Sequence, residues 1–295
     1  MRAQLLLLAL GAGGLAFTAV YSPVWALAFT GLALLYGSSG VYVASRRLYY
    51  LVAVAPHSSL MAIGLTPLAA LAAPGVPGEV LTGLLGFLPI ALALTLISRG
   101  APEALVASWL TALTASLGVL SVALTASMGL EAPLAEALAG DPLLITAREA
   151  LAIAGIGLLA MLLVARFYWV YAYSGADPED YALAGYKLSK LAEAGGVLMV
   201  VASTAGMVWY TGFVVQHILL LIPPLIAVKA ARSVREAMTT VYSASIASSG
   251  AGLAVSILLD LPPSGMIGVV AALIYIILAL AYKGRLEGSE ESYIH

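Results

Sequence analysis

A chain of 295 residues that is 62% hydrophobic and 9% charged, against about 25% charged in a soluble domain, has more apolar surface than a water-soluble core can hide. It therefore reads as an all-α, polytopic membrane protein. The net charge of −2 and the dispersed basic residues give no patch for nucleic acid, and the absence of cysteine excludes disulfides, thiolate metal sites and thiol catalysis.

Residues 3–20 form an apolar run behind Arg2. It reads as a retained first span, because Phe17 would sit three residues before a cut after Ala19 and makes a poor signal-peptide site. Further runs over 24–44, 49–73, 79–98, 104–129, 149–171, 191–210, 213–228, 240–259 and to about 282 bring the predicted count to ten transmembrane helices. Residues 130–146 carry Glu131, Glu136 and Asp141 and are too polar to span, which predicts a surface or re-entrant helix. Ala244, Ser248 and Gly252 recur every fourth residue and predict a close-packing helix face. The stretch 283–295 is too short to fold alone and reads as a tail on a single membrane domain, 1–295.

Orientation follows from the basic residues. With a cytoplasmic N-terminus and alternating spans, only Arg148 of the 13 Lys and Arg falls outside, as the positive-inside rule requires. Both termini and the segment 174–190 are then cytoplasmic. That segment reads as a short capped helix. Asp177 suits the N-cap, Pro178 the first helical position, Glu179 and Asp180 the positive end of the dipole, and Gly185 a left-handed stop. Tyr181, Ala182 and Ala184 give it a small apolar surface. Composition alone makes it an ordinary polar loop equally well.

Ionisable side chains inside a bilayer are costly and mark functional sites. Two lie clearly within spans. His57 follows Pro56, which removes a backbone donor, and precedes Ser58 and Ser59; its depth is roughly 12 Å from the inner edge at 1.5 Å per residue. His217 follows Gln216 near the outer side of the eighth run. Each either lines a polar pathway, with Ser58 and Gln216 beside them, or is a packed histidine satisfied by a carbonyl. Neutral imidazole is a ligand for zinc, copper, nickel and iron, which makes His57 and His217 the candidate metal ligands. No catalytic constellation is present. Ser58 and Ser59 have no buried carboxylate to orient a His57 base, and no P-loop occurs.

Four segments, in order, resemble the permease subunits of metal-ion ABC transporters, the zinc/manganese/iron importer family. Arg46, Arg47, His57 and Leu60 match the pattern RRM-x-x-x-GDAxSHAxLPG, with Ala53 where that family has aspartate, Pro56 where it has serine and Met61 where it has proline. Gly140-Asp141-Pro142-Leu143-Leu144 resembles an outward GDxL element. Asp177, Glu179, Ala182 and Gly185 resemble DxExAxxxG with approximate spacing. Gly212 and Pro223 fit GxLLVxALLIIPAA, and Leu259-Asp260-Leu261-Pro262 fits an LDLPxG turn. The first 20 residues lie outside this match and resemble the extra leading span of cobalamin and siderophore permeases.

The resemblance implies a type II ABC importer permease used as a homodimer, with two separate ATPase subunits that hold the ATP and an extracytoplasmic binding protein that delivers substrate. This chain itself is then no enzyme and binds no cofactor. Asp177, Pro178, Glu179, Asp180, Tyr181, Ala182 and Gly185 are implied to couple to the ATPase, and a divalent metal is the implied substrate. Ala53 removes a carboxylate that the family places one turn before the histidine. A metal chelate is therefore a second substrate class, and a non-transporting scaffold a third reading.

Overall fold

Most breaks in the hydrophobic pattern become helix ends, several of them with an identifiable cap. The computed structural model describes residues 2–130, 140, 145–177, 181 and 189–290, apart from the side chains of Arg2 and 282–290. They form eleven helices: α1 Arg2–Tyr21, α2 Pro23–Arg46, α3 Leu51–Ala72, α4 Gly78–Ser98, α5 Glu103–Ser127, α6 Ala147–Arg166, α7 Tyr168–Ala176, α8 Ser189–Ser203, α9 Val208–Ala230, α10 Val234–Leu259 and α11 Pro263–Glu290. Ser22 accepts from the Trp25 N–H and Pro23 opens α2. At its other end Arg47 is left-handed (φ 55°) and closes a Schellman turn, with Leu48 N–H donating to the Val43 carbonyl. Thr146 and Glu149 form a capping box at α6. Asp260 of the LDLP turn is the left-handed cap of α10.

Nine of these helices are long and apolar enough to cross a membrane. α2 and α10 lie at the centre, each with 72% of its apolar stretch buried, and α1 lies at the edge with 17%. Close approach of α2 to α6 depends on Gly31 and Gly157, where a Cβ on either would strike the facing backbone. α1 meets α10 the same way, through Gly11 and Gly14 against Ile246 and Gly250. On the face bearing Ala244 and Ser248, both fully buried, Gly252 packs on Ile267 of α11.

The structure departs from the sequence expectation in three places. The sixth span breaks at Phe167, and α7 continues from it. α11 continues as helix to Glu290, into the expected tail. Of the acidic stretch, 131–139 and 141–144 lie outside the described residues, while the backbone of Gly140 (φ 68°) abuts Thr211 and Gly212. The largest change concerns the seventh and eighth spans. α8 has 15 residues, about 22 Å, which is short of a hydrocarbon core of about 30 Å. It ends at Ser203, whose carbonyl accepts from Tyr36 Oη at 2.6 Å and whose hydroxyl meets Ser39 at 3.2 Å. Tyr36 and Ser39 lie midway along α2, so α8 stops at mid-depth. A turn over 204–207 follows, then α9, which kinks at Gly212 with φ 71° and ψ 164°, a conformation only glycine adopts readily. Ten full crossings thus become nine long spans and a shortened α8.

A helix end inside hydrocarbon leaves carbonyls that water cannot reach. Here side chains serve them. Tyr36 donates to Ser203 and contacts Thr211 Oγ1 at 3.1 Å, and Gln216 Nε2 donates to the Thr204 carbonyl at 2.7 Å. Tyr36→Phe removes the first donor, at a cost of about 1–3 kcal/mol for a buried unsatisfied carbonyl. Thermal unfolding in detergent should show a midpoint lowered by several degrees. An unchanged midpoint would mean that Ser203 finds another donor.

Candidate functional site

Pro56 sits inside α3, and Pro223 and Pro224 inside α9. Each breaks the regular backbone ladder, and between these weak points α3 and α9 face one another. His57 and His217 meet there, ring centres 5.2 Å apart and planes at 89°. Phe213 completes a three-ring cluster, 5.1 Å from His57 and 4.2 Å from His217. His217 was expected near the outer surface. Contact with His57, two turns into α3, places it deep instead, because the chain has already turned at 204–207.

Both imidazoles are anchored in the same way. His57 Nδ1 lies 2.7 Å from the Ala53 carbonyl, and His217 Nδ1 lies 3.1 Å from the Phe213 carbonyl. A carbonyl can only accept, so each neutral ring carries its proton on Nδ1 and keeps the Nε2 lone pair for a ligand. Both rings are half-buried, as are Ala53 and Leu60 on the same face of α3. Among the described residues no group of three or more His, Asp or Glu gathers as a metal cage. The two positions one turn before the histidines are Ala53 and Phe213, both apolar. The site is a pair of nitrogen donors in an aromatic and aliphatic setting.

The neighbouring polar residues play different parts. Ser58 is fully buried and donates back to the Val54 carbonyl at 2.7 Å, away from the imidazoles. Gln216 is also fully buried and committed at both ends, since Ser59 donates to its Oε1 at 3.0 Å while Nε2 holds Thr204. Neither is a free pathway group in this conformation. Gln216 instead ties the mid-depth turn to the helix that carries His217.

At the far end of the sixth run, Asp177 closes α7, and its carbonyl accepts from the Tyr181 N–H at 3.0 Å. An N-cap residue makes this same bond to the fourth residue beyond it. Pro178, Glu179, Asp180, Ala182 and Gly185 lie outside the described residues. Tyr181 is expected on the small apolar docking surface of this segment. It is 9% exposed and lies under Arg46, whose guanidinium carbon is 5.6 Å from the ring centre. It therefore packs inward onto α2.

Two carboxylates escaped the sequence reading. Glu193, three residues into an apolar run, accepts from Tyr42 Oη at 2.6 Å and pairs with Arg46 at 3.0 Å. Glu103 of α5 accepts from the N–H groups of Tyr50 and Leu51 at 2.9 and 3.1 Å and so caps α3. The signal for Glu193 was its placement inside a predicted span. Glu103 has no local signal, since it caps a different helix.

Comparison with known proteins agrees with this architecture. No curated protein matches the chain. Among solved structures, PsaBC from Streptococcus pneumoniae in complex with a Fab superposes with a TM-score of 0.68 at 16% identity, over 86% of this chain and 88% of that one. A transporter assigned to the metal-chelate ABC type, in an inward-facing conformation, gives 0.61 at 15% identity, over 86% and 85%. These likenesses show a shared fold. The profile of the ABC 3 transport family matches residues 20–282, leaving out almost all of α1. The chain, an all-helical multi-pass membrane protein with paired imidazoles at its centre, belongs to the ABC 3 transport family of permeases.

Proposed function

We propose that this permease serves an ABC importer that admits a divalent transition-metal ion, with zinc the best match among zinc, manganese and iron. The observation that carries the reading is the His57–His217 pair, two imidazoles with Nδ1 held and Nε2 available. Neutral nitrogen donors suit zinc and iron far better than manganese, which favours carboxylate and carbonyl oxygen. Two ligands hold an ion weakly. Release suits a carrier better than a structural metal site does.

The half-exposed face of Ala53, His57 and Leu60 supports a second copy of the chain. Polar rings turned to lipid are costly, and a homodimer would cover them along a shared pathway. ATP hydrolysis belongs to two separate ATPase subunits that engage the Asp177–Gly185 segment, and an extracytoplasmic binding protein delivers the ion. A metal chelate is the second reading. It is favoured by the apolar residues at 53 and 213, which leave no carboxylate to replace the charge-neutralising shell of a bare dication.

Proteoliposomes holding the permease, its ATPase and its binding protein test this with zinc, manganese, iron and cobalt, each free and chelated. His57→Ala and His217→Ala should each lower zinc uptake more than tenfold while ATPase association is retained. Full uptake by both variants would return the pair to a packing role. Ala53→Asp restores a carboxylate one turn from His57, and should raise manganese uptake relative to zinc severalfold. An unchanged metal preference would place the selective site elsewhere.

A further inference from the structure

We infer that Glu193 is a positioning residue for transport, the junction through which movement at Tyr181 reaches the histidine pair. The inference rests on the ATP-driven reading above and adds the route by which the drive arrives.

The route can be followed contact by contact. Arg46 bridges the two sides, with its guanidinium over the Tyr181 ring and Nη2 3.0 Å from Glu193 Oε2. The other carboxylate oxygen accepts from Tyr42 at 2.6 Å. Glu193 thus answers to two residues of α2, one facing Tyr181 and one inside the bundle. Its helix is held to α7 one residue before it and to α2 three residues after it. Tyr171 Oη donates to the Ala192 carbonyl at 2.8 Å, and a Cβ on Gly196 would strike the Tyr42 ring. Side chain and backbone together fix the lower end of α8.

The upper end of α8 is where the substrate site begins. Ser203 and Thr204 are held by Tyr36 and Gln216, Gln216 is held by Ser59, and His217 is the next residue on α9. α8 is a short rigid rod with one end at the Arg46–Glu193 pair and the other at the turn that carries the Gln216–His217 pair. A shortened helix can tilt as a unit, because its far end stops at an internal turn instead of an outer-surface loop. A charge pair that is only partly exposed, at 31% and 36%, forms a directional link that apolar packing cannot provide. Tyr42 and Tyr171 stack edge to face at 6.2 Å beside it, so the anchor has little room to slide.

The lack of cysteine makes the test direct. Leu60→Cys, one turn from His57, gives the permease chain a single reporter thiol, read in the complex with a cysteine-free ATPase in liposomes by its rate of labelling with a charged maleimide. In the otherwise unaltered chain, trapping with ATP and vanadate should change that rate about tenfold. Glu193→Gln and Arg46→Gln should each reduce the change to less than twofold, and the double variant should be no worse than either, because residues in one link are not additive. ATPase association should remain in all three. Tyr42→Phe, which leaves the charge pair intact, should lose about half of the response and stands in should Glu193→Gln not fold. A full response in Glu193→Gln, losses that multiply in the double variant, or loss of ATPase binding would overturn the inference. If the unaltered chain itself showed no ATP-dependent change, the ATP-driven reading would fall, and this inference with it.

Discussion

A broken helix in the middle of a bilayer must find a partner for every carbonyl it exposes, and that requirement shapes this molecule from the inside. α8 ends and α9 begins within hydrocarbon. The groups left over at that point are met by Tyr36 from α2 and Gln216 from α9, with Ser39, Ser59 and Thr211 around them. The central helices α2, α3 and α9 are therefore pinned to one another by hydrogen bonds as well as by packing. The histidine pair lies against this polar knot. Its position is a consequence of the turn, since only a chain reversing at mid-depth brings residue 217 down to the level of residue 57.

Polarity is therefore rationed. Around the mid-depth turn the Tyr36 hydroxyl and the Gln216 amide serve the backbone, while the two imidazoles spend only Nδ1 on a carbonyl. The surroundings of the rings contribute aromatic faces and methyl groups. Around the Arg46–Glu193 pair the economy is different: charge and the Tyr181 ring come together where both charged side chains remain partly exposed.

Much of this could be read from the sequence. The long spans and the breaks at Arg46-Arg47, Pro74-Gly75 and Pro262-Pro263 follow from hydropathy and charge, and the structure places helix ends at or near each. His57 and His217 stood out because ionisable groups in apolar runs are rare. Hydropathy could not reveal that α8 stops halfway, because a window over 191–210 averages a helix, a turn and the start of the next helix into one apolar stretch. The same averaging put His217 near the outer surface. Gln216 looked like a pathway residue for its polarity alone; its real partners, Ser59 and Thr204, are 157 and 12 residues away. Tyr181 misled in the other direction, as an aromatic in a polar loop reads as exposed until a distant arginine is found above it.

The outermost helix has a mechanical effect on all of this. The glycine contacts of α1 bring its backbone so near that of α10 that the two behave as one thick beam, stiffer than either alone. α10 is also the partner of α2, α9 and α11, so the beam backs the whole inner face of the bundle. Bending that face would mean bending both helices. Deformation is left to the thinner parts: the Pro56 turn of α3 and the Gly212 kink. A helix that touches no ligand thus concentrates compliance next to the two histidines.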